Sequence, residues 1–359
     1  MYIGIEIGGT KLQLGAGLGD GVLRGLWRET VDVKAGPEGI RRQITRGIPE
    51  LLAQAGVERS HVRGIAIGFG GPVDDATHTV VKSHQIEGWD DFPLARWIAE
   101  VTGFPAVLGN DSDVAGLAEA LFGAGKGFSP VFYTNTGSGI GGALIIDGQI
   151  YRGSGRGAAE IGHLSVTPTF WYLPPGGFTT YPDADGETDL AMAGRYVQRG
   201  QYRLPLEEVA SGWSIARLAQ TAMTVGFDRE SVLVQLVDGR LERIACEHVA
   251  QAAEQGDEFA LSLLNQAWSC LAEALCHVIA LLCPRRIIVG GGASLMGEKL
   301  LFEPLRRLVA QSVFKPFADA YDIVPAALGE EIVVHGALVL ARRHVDEGAL
   351  DPNNLGILS

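Results

Sequence analysis

Two stretches of this chain repeat one local plan, and the repetition limits the folds open to it. In the first, Tyr2 to Gly17, the alternating apolar residues Ile3, Ile5 and Ile7 run into Gly8, Gly9 and Thr10, and Leu12 and Leu14 follow directly after Lys11. Alternation with a period of two predicts strand, tight turn, strand. In the second, Pro130 to Thr136 predicts a strand, Gly137 to Gly142 (GSGIGG) a glycine turn, and Ala143 to Ile146 a strand closed by Asp147 and Gly148. A glycine turn lets backbone N–H groups approach an anion with no side chain in the way, and Thr10 and Lys11 add a hydroxyl and a positive charge. Either turn alone also suits a plain hairpin. Two of them, about 130 residues apart, predict a duplicated α/β architecture with a nucleotide triphosphate between the halves.

Composition narrows the function classes. A chain of 359 residues is long enough for two packed domains. A net charge of -13 argues against nucleic acid as the main partner, because a phosphate backbone needs clustered Lys and Arg. The four cysteines, Cys246, Cys270, Cys276 and Cys283, show no paired spacing and read as small core residues of a reduced compartment. The N-terminus enters a strand at once, with no leader pattern, and the apolar stretch Cys270 to Cys283 is too short to span a bilayer. A cytoplasmic protein is expected, with no membrane partner.

Between the repeats, strands and helices alternate. A third strand is expected near Val22 to Val33, a helix over Pro37 to Ala55 with proline in its first turn, and a buried strand over Gly64 to Phe69. A helix at Pro93 to Thr102 leads to a strand, Ala106 to Leu108, ending at Asn110 and Asp111, where helical spacing over Asp111 to Phe122 begins. A polar pair at a strand end facing a helix start is where α/β folds place chemistry. Later, Ser211 to Val225, Leu241 to Gln255 and Glu258 to Cys283 read as helices, Arg285 to Val289 as a strand running into Gly290, Gly291 and Gly292, Ile332 to His344 as a last helix, and Gly348 to Ser359 as a loose tail.

Six motifs in order resemble the ROK sugar kinases (repressor, open reading frame, kinase) of the actin-like ATPase superfamily. EIGGTK (Glu6 to Lys11) is similar to the first phosphate motif, GFGGPVD (Gly68 to Asp74) to the GxPGPVD segment, and GND (Gly109 to Asp111) to the catalytic strand end. NTGSGIGG (Asn135 to Gly142) resembles the second phosphate motif, GAAEIGH (Gly157 to His163) the sugar-binding GxxGEIGH, and VGGGAS (Val289 to Ser294) the adenosine motif. The resemblance implies a two-domain actin-like (ribonuclease H-like) α/β fold with a central cleft. An N-terminal domain over 1–112 would carry helix 332–345 packed back on it, and a larger domain would cover 113–331 with an irregular insertion at about 165–206.

Phosphoryl transfer to a sugar hydroxyl needs a base at that hydroxyl, Mg²⁺ near the phosphates and fixed donors around the anion. Asp111 is the candidate base; an Asp here also serves as a helix N-cap. The resemblance implies that Asn110, Glu160, His163 and Gly71 hold the sugar. Glu160 and His163, three apart, share a face on a helical turn or stand as a surface Glu with a capping His. LEEVASG places Glu207 four residues before Ser211, where the family has a sugar-contacting glutamate; Glu208 is the neighbouring register, and a solvated helix-start glutamate is the plain alternative. ATP would be held by Gly8, Gly9, Thr10, Lys11, Thr136, Gly137, Ser138 and Gly139, with Gly291 and Gly292 at the adenosine and Glu6 reaching Mg²⁺ through water.

Departures from the family pattern are as informative. No cysteine lies between His163 and Glu207, where the family has its zinc loop, so no structural zinc is expected and His163 is left to the sugar. The replacing segment, FWYLPPGGFTTYPDADGETD (Phe170 to Asp189), suits a substrate lid or a dimer contact equally. Glu6 stands for the usual Asp, Gln85 and Asp113 for two asparagines, and these leave the sugar open. The expected activity is glucokinase-like or N-acylhexosamine kinase, in a homodimer as in relatives. The rivals are a sugar-sensing relative of the family's repressors, for whose DNA-binding domain this start leaves no room, and a weakened ATP-binding protein.

Overall fold

The computed structural model describes residues 1–83, 86–154, 157–168, 203–224 and 231–348. The opening meander is β1 (Tyr2–Ile7), β2 (Lys11–Gly17) and β3 (Leu23–Thr30). Its register pairs Ile7 with Leu12, Ile5 with Leu14 and Glu6 with Gln13. The period of two therefore puts all four of those apolar residues into the core and the polar pair on the opposite face. Then come α1 (Gly36–Ala55), β4 (Gly64–Phe69), the short pair β5 (Val73–Asp74) and β6 (Thr79–Val80), α2 (Leu94–Thr102), β7 (Ala106–Asn110) and α3 (Asp111–Phe122). Helix α1 buries Ile40, Ile44, Ile48 and Leu51 at helical spacing and stops at Gly56, whose φ of 61° suits glycine.

The second half repeats this plan with β8 (Val131–Thr136), β9 (Ile140–Ile146) and β10 (Gln149–Ile150). A small pair, β11 (Ser165–Val166) and β12 (Leu204–Pro205), precedes α4 (Glu207–Ala210), α5 (Gly212–Thr224), α6 (Val232–Leu236), α7 (Cys246–Glu254) and α8 (Glu258–Leu282). The chain closes with β13 (Arg286–Gly290), α9 (Glu303–Ser312), β14 (Ile323–Pro325) and α10 (Ile332–Gly348). The two five-stranded sheets have orders β3-β2-β1-β4-β7 and β10-β9-β8-β13-β14. In each, three antiparallel strands continue into two parallel ones, so the repetition read in the glycine turns extends to whole sheets.

Helices α3 and α10 lie between the sheets. One apolar cluster takes Tyr2, Ala66 and Val107 from the first sheet, Val131, Tyr133 and Ile288 from the second, and Val114, Leu117, Val334 and Leu338 from the two helices. The approach depends on small residues: a Cβ on Gly336 of α10 would fall 1.9 Å from the Val114 carbonyl oxygen, and one on Gly4 of β1 2.7 Å from the Val334 oxygen.

Two expected elements change shape. The third strand stops at Thr30, because the Asp32 side chain accepts from Lys34 N at 3.0 Å and starts a 3-10 turn, Val33–Ala35. The helix expected over Leu241 to Gln255 is a 3-10 turn, Leu241–Arg243, followed by α7, because Ala245 N–H donates to His248 Nδ1 at 2.9 Å and starts a new helix there. The core of the central insertion and the C-terminal tail fall at 169–202 and 349–359, outside the described residues. No helix among the described residues is long and apolar enough to cross a membrane.

Replacing Gly336 with alanine forces a methyl group into the Val114 carbonyl. Gly336→Ala is expected to lower the unfolding free energy by about 1–3 kcal/mol, read as a lower urea midpoint. An unchanged midpoint would contradict the close seating of α10 on α3.

Candidate active site

The first glycine turn joins β1 to β2, closed by Gly8 N–H donating to Lys11 O at 3.0 Å. Gly8 and Gly9 are half-buried and Thr10 is exposed. On the face of β1 that Tyr2 and Gly4 turn toward α10 stands Glu6. Its Oε2 accepts from Gln13 Nε2 at 2.7 Å, and its Oε1 lies 3.6 Å from Lys11 Nζ. Burial raises the Glu6 proton affinity, Lys11 and Gln13 oppose that rise, and the negative charge of Asp111 adds to it. Glu6 and Asp111 therefore feel each other at the same end of the first sheet, across β4.

Asp111 is the first residue of α3 and follows β7. The residue keeps partial exposure, but its carboxyl is enclosed by protein, and burial pushes its pKa up to about 6 against hydrogen bonds from Ser112. Both recorded hydrogen bonds end on Oδ1, from Ser112 N at 2.7 Å and Ser112 Oγ at 3.2 Å. The helix cap is Asn110 instead: its Oδ1 accepts from Ser112 N at 2.9 Å and Asp113 N at 3.3 Å. Asn110 Nδ2 donates to Gly71 O at 3.0 Å, so the amide expected to face a sugar also ties β7 to the segment after β4. Gly71 itself has φ 154°, and a Cβ there would meet the Lys82 oxygen at 2.8 Å.

The second glycine turn joins β8 to β9, with Gly137 N–H donating to Gly139 O at 2.9 Å. Asn135 Oδ1 accepts from Gly141 N at 2.8 Å and from Ser112 Oγ at 3.2 Å. The Ser112 hydroxyl thus stands between Asp111 and the second turn, and its single hydrogen serves one or the other. Gly291, at φ 79°, presses on Thr136: a Cβ there would lie 2.7 Å from the Thr136 oxygen. A Cβ at Gly137 would come within 3.9 Å of Gly292 N, so Thr136, Gly137, Gly291 and Gly292 form one backbone-lined patch. Ser138, at the tip, is exposed.

Glu160 precedes the 3-10 turn Ile161–His163, and His163 N–H donates to Glu160 O at 3.1 Å. Residues three apart eclipse on such a turn, and both side chains are exposed. The Glu160 charge raises the proton affinity of Asp111 and Asp113, which places it beside them. Among the described residues no hydrogen bond joins His163 to Asp111. Glu207 Oε2 accepts from Ile140 N at 2.6 Å, bracing the second turn. Glu208 Oε2 is buried without a hydrogen-bond partner among the described residues. A solvent-open hollow of about 560 Å³ lies elsewhere, on α1. Its Arg41 and Arg46 are already paired with Glu38 and Glu29.

The ROK family model matches residues 2–344. The chain belongs to the ROK family. The glucokinase of Thermotoga maritima is 31% identical over 96% of this chain and 98% of that enzyme. A ROK family glucokinase from Streptomyces griseus, solved with glucose and AMPPNP, is 29% identical with a TM-score of 0.72, over 95% of this chain and 99% of that one. The xylose repressor of Caldicellulosiruptor bescii is 22% identical over 88% of this chain and 72% of its own length. The two-domain actin-like α/β fold implied by the motifs is the fold of the ROK glucokinases.

Within this ROK framework three residues hold positions in the site that the sequence did not assign to them. Ser112 and Asn135 link Asp111 to the second turn, and the only local signal was the polar run Asn110 to Asp113. Asp113, noted only as a departure from the family pattern, is 3% exposed, and its Oδ1 has no hydrogen-bond partner among the described residues. Burial pushes its pKa up to about 7; the Arg152 charge opposes the rise, and Asp75, Glu160 and Asp111 add to it. Arg152, from the loop after β10, is itself ion-paired with Asp75, from the β5–β6 turn, so this pair spans the two sheets' halves.

A carboxyl raised on folding costs stability once it ionises. Asp113 is protonated in both folded and unfolded chains below about pH 4, and the cost grows as pH rises toward its folded value of about 7. Asp113→Asn is therefore expected to raise the melting temperature at pH 8 and to change it far less near pH 4. A gain of equal size at both pH values would show that the effect is not charge burial.

Proposed function

We propose that this chain is an ATP-dependent sugar kinase that transfers the γ-phosphoryl group to a hydroxyl of a hexose or hexose derivative, with glucose the first acceptor to test. The observation that carries the reading is the placement of Asp111. It is an enclosed carboxyl that is not the cap of its own helix, held through one oxygen by Ser112, whose hydroxyl also reaches Asn135 before the second glycine turn, and close enough to Glu6 before the first turn to raise its proton affinity. A base with a pKa of about 6 is ionised at neutral pH and remains basic enough to take a hydroxyl proton as the phosphoryl group arrives. The start of α3 favours its ionised form, and burial restrains that form.

The other residues divide by position. The turns at Gly8, Gly9, Thr10 and Lys11 and at Thr136, Gly137, Ser138 and Gly139 would receive the phosphates, with Gly291 and Gly292 at the adenosine side. Asn110, Gly71, Glu160, His163 and Glu207 would hold the sugar, with Glu207 also bracing the second turn through Ile140 N–H. Glu6 fits a hydrated Mg²⁺: it is a half-buried oxygen donor whose ionised form is disfavoured by burial and by Asp111, conditions that a divalent cation relieves. When bound with ATP, the ion would neutralise charge on the phosphates. In the same reading the domains divide after Ser112, and a homodimer in the cytoplasm rests on the family resemblance alone. The repressor relative supports a sugar-sensing alternative, in which ATP turnover would be absent.

ATP consumption across hexoses, N-acetylhexosamines and fructose tests this reading. Asp111→Asn is expected to retain sugar binding and to lose about 10²- to 10⁴-fold in kcat. Because the base must be ionised, the wild-type rate should fall as pH drops through about 6. Turnover unchanged in the variant would remove Asp111 from the mechanism, and no turnover on any sugar would favour the sensing alternative.

A further inference from the structure

The chain returns from the second sheet to the first through one short crossing, Ala326 to Glu331, between β14 and α10. Its start is tied to the second sheet by Ala326 N–H donating to Val289 O at 3.0 Å. The next two N–H groups, of Ala327 and Leu328, donate to Glu119 Oε1 at 2.8 and 2.9 Å. Glu119 lies on α3 and is fully buried, and its Oε2 accepts from Ala124 N at 2.7 Å. A Cβ at Gly123 would stand 2.2 Å from Glu119 Oε2, so the end of α3 is bare where the carboxyl folds over it.

Beyond the clamp, the Glu330 carbonyl accepts from Gln13 Nε2 at 2.9 Å and from Lys11 Nζ at 3.3 Å. These are the two side chains that hold Glu6. Gln13 spends its amide N–H groups on Glu330 and Glu6 while its buried Oε1 has no partner among the described residues. A buried amide oxygen without a partner carries a desolvation cost that the bonds of its nitrogen must offset.

We propose that Glu119 is a positioning residue of the phosphoryl-transfer site. By clamping the crossing it fixes the Glu330 carbonyl and, through Gln13 and Lys11, the place of the Glu6 carboxylate at the first glycine turn. The inference rests on the kinase reading above. Its chemistry is general: a carboxylate can accept from several backbone N–H groups at once, whereas a glutamine of the same shape turns one acceptor into a donor facing another donor.

Glu119→Gln should fold and bind sugar with a KM within about twofold of wild type, while kcat falls about 10- to 100-fold and the free Mg²⁺ needed for half-maximal rate rises several-fold. Gln13→Met, which cuts the shorter of the two links from Glu330 to Glu6 and leaves the Glu119 clamp and Lys11 in place, should raise the Mg²⁺ demand in the same direction. The double variant should add little to either single one, because both act along one path. Fully additive effects, or a Glu119→Gln enzyme with a lower melting temperature but wild-type kcat and Mg²⁺ demand, would overturn the proposal. If Glu119→Gln does not fold, Gln13→Met with wild-type Mg²⁺ demand overturns it alone. If the wild type phosphorylates no sugar, the kinase reading fails, and amide hydrogen exchange over Gly8 to Leu14 decides instead. Faster exchange there in Glu119→Gln supports the clamp, and equal exchange removes it.

Discussion

Everything at the candidate site depends on how closely α10 seats against α3. The two helices approach so tightly that Gly336 faces the Val114 carbonyl with no space for a methyl group, and both helices lie between the two sheets. Interiors packed to this density resist small displacements, so the first turn of α3 inherits a fixed position relative to both halves. Asp111 stands on that turn. Its neighbours Asn110 and Ser112 reach in opposite directions, Asn110 to Gly71 in the first half and Ser112 to Asn135 in the second. One helix start therefore touches both glycine-turn halves of the molecule.

Electrostatics set the cost of this arrangement. Glu6, Asp111, Asp113 and Glu160 share one region, and burial raises the first three against their ordinary values, Asp111 to about 6 and Asp113 to about 7. Two positive groups, Lys11 beside Glu6 and Arg152 beside Asp113, oppose the rise without cancelling it. Carboxyls in such surroundings destabilise the fold at neutral pH, and functional sites are where that cost is tolerated. The same region would favour a ligand that brings donors and cations of its own, which is what a hydroxyl-rich sugar with Mg²⁺ and ATP supplies.

Much of the frame was legible because it is written in short-range pattern. The alternation of Ile3, Ile5 and Ile7, the run Gly64 to Phe69 and the helical spacing of Asp111 to Phe122 all appear where their periodicity puts them. The duplicated glycine turns announced the matching sheets. What stayed hidden acts across long separations or through polar partners with no period. Glu119 and Ala327 are 208 residues apart in sequence, and no local signal connects them. That Asn110 caps α3 in place of Asp111 depends on side-chain direction, and that Glu207 braces Ile140 depends on how α4 docks. The break before α7 turned on a single reach of His248 to Ala245 N–H.

The central claim is that a phosphoryl group passes from ATP to a sugar at Asp111. Phosphorus NMR of the protein mixed with MgATP and glucose tests it most directly, because it shows the bond formed. The account predicts a sugar phosphate ester growing in step with ADP, its signal split as a triplet if the phosphate sits on the primary 6-hydroxyl. ADP formed with free phosphate alone, or ATP bound and unchanged with every sugar offered, would contradict it.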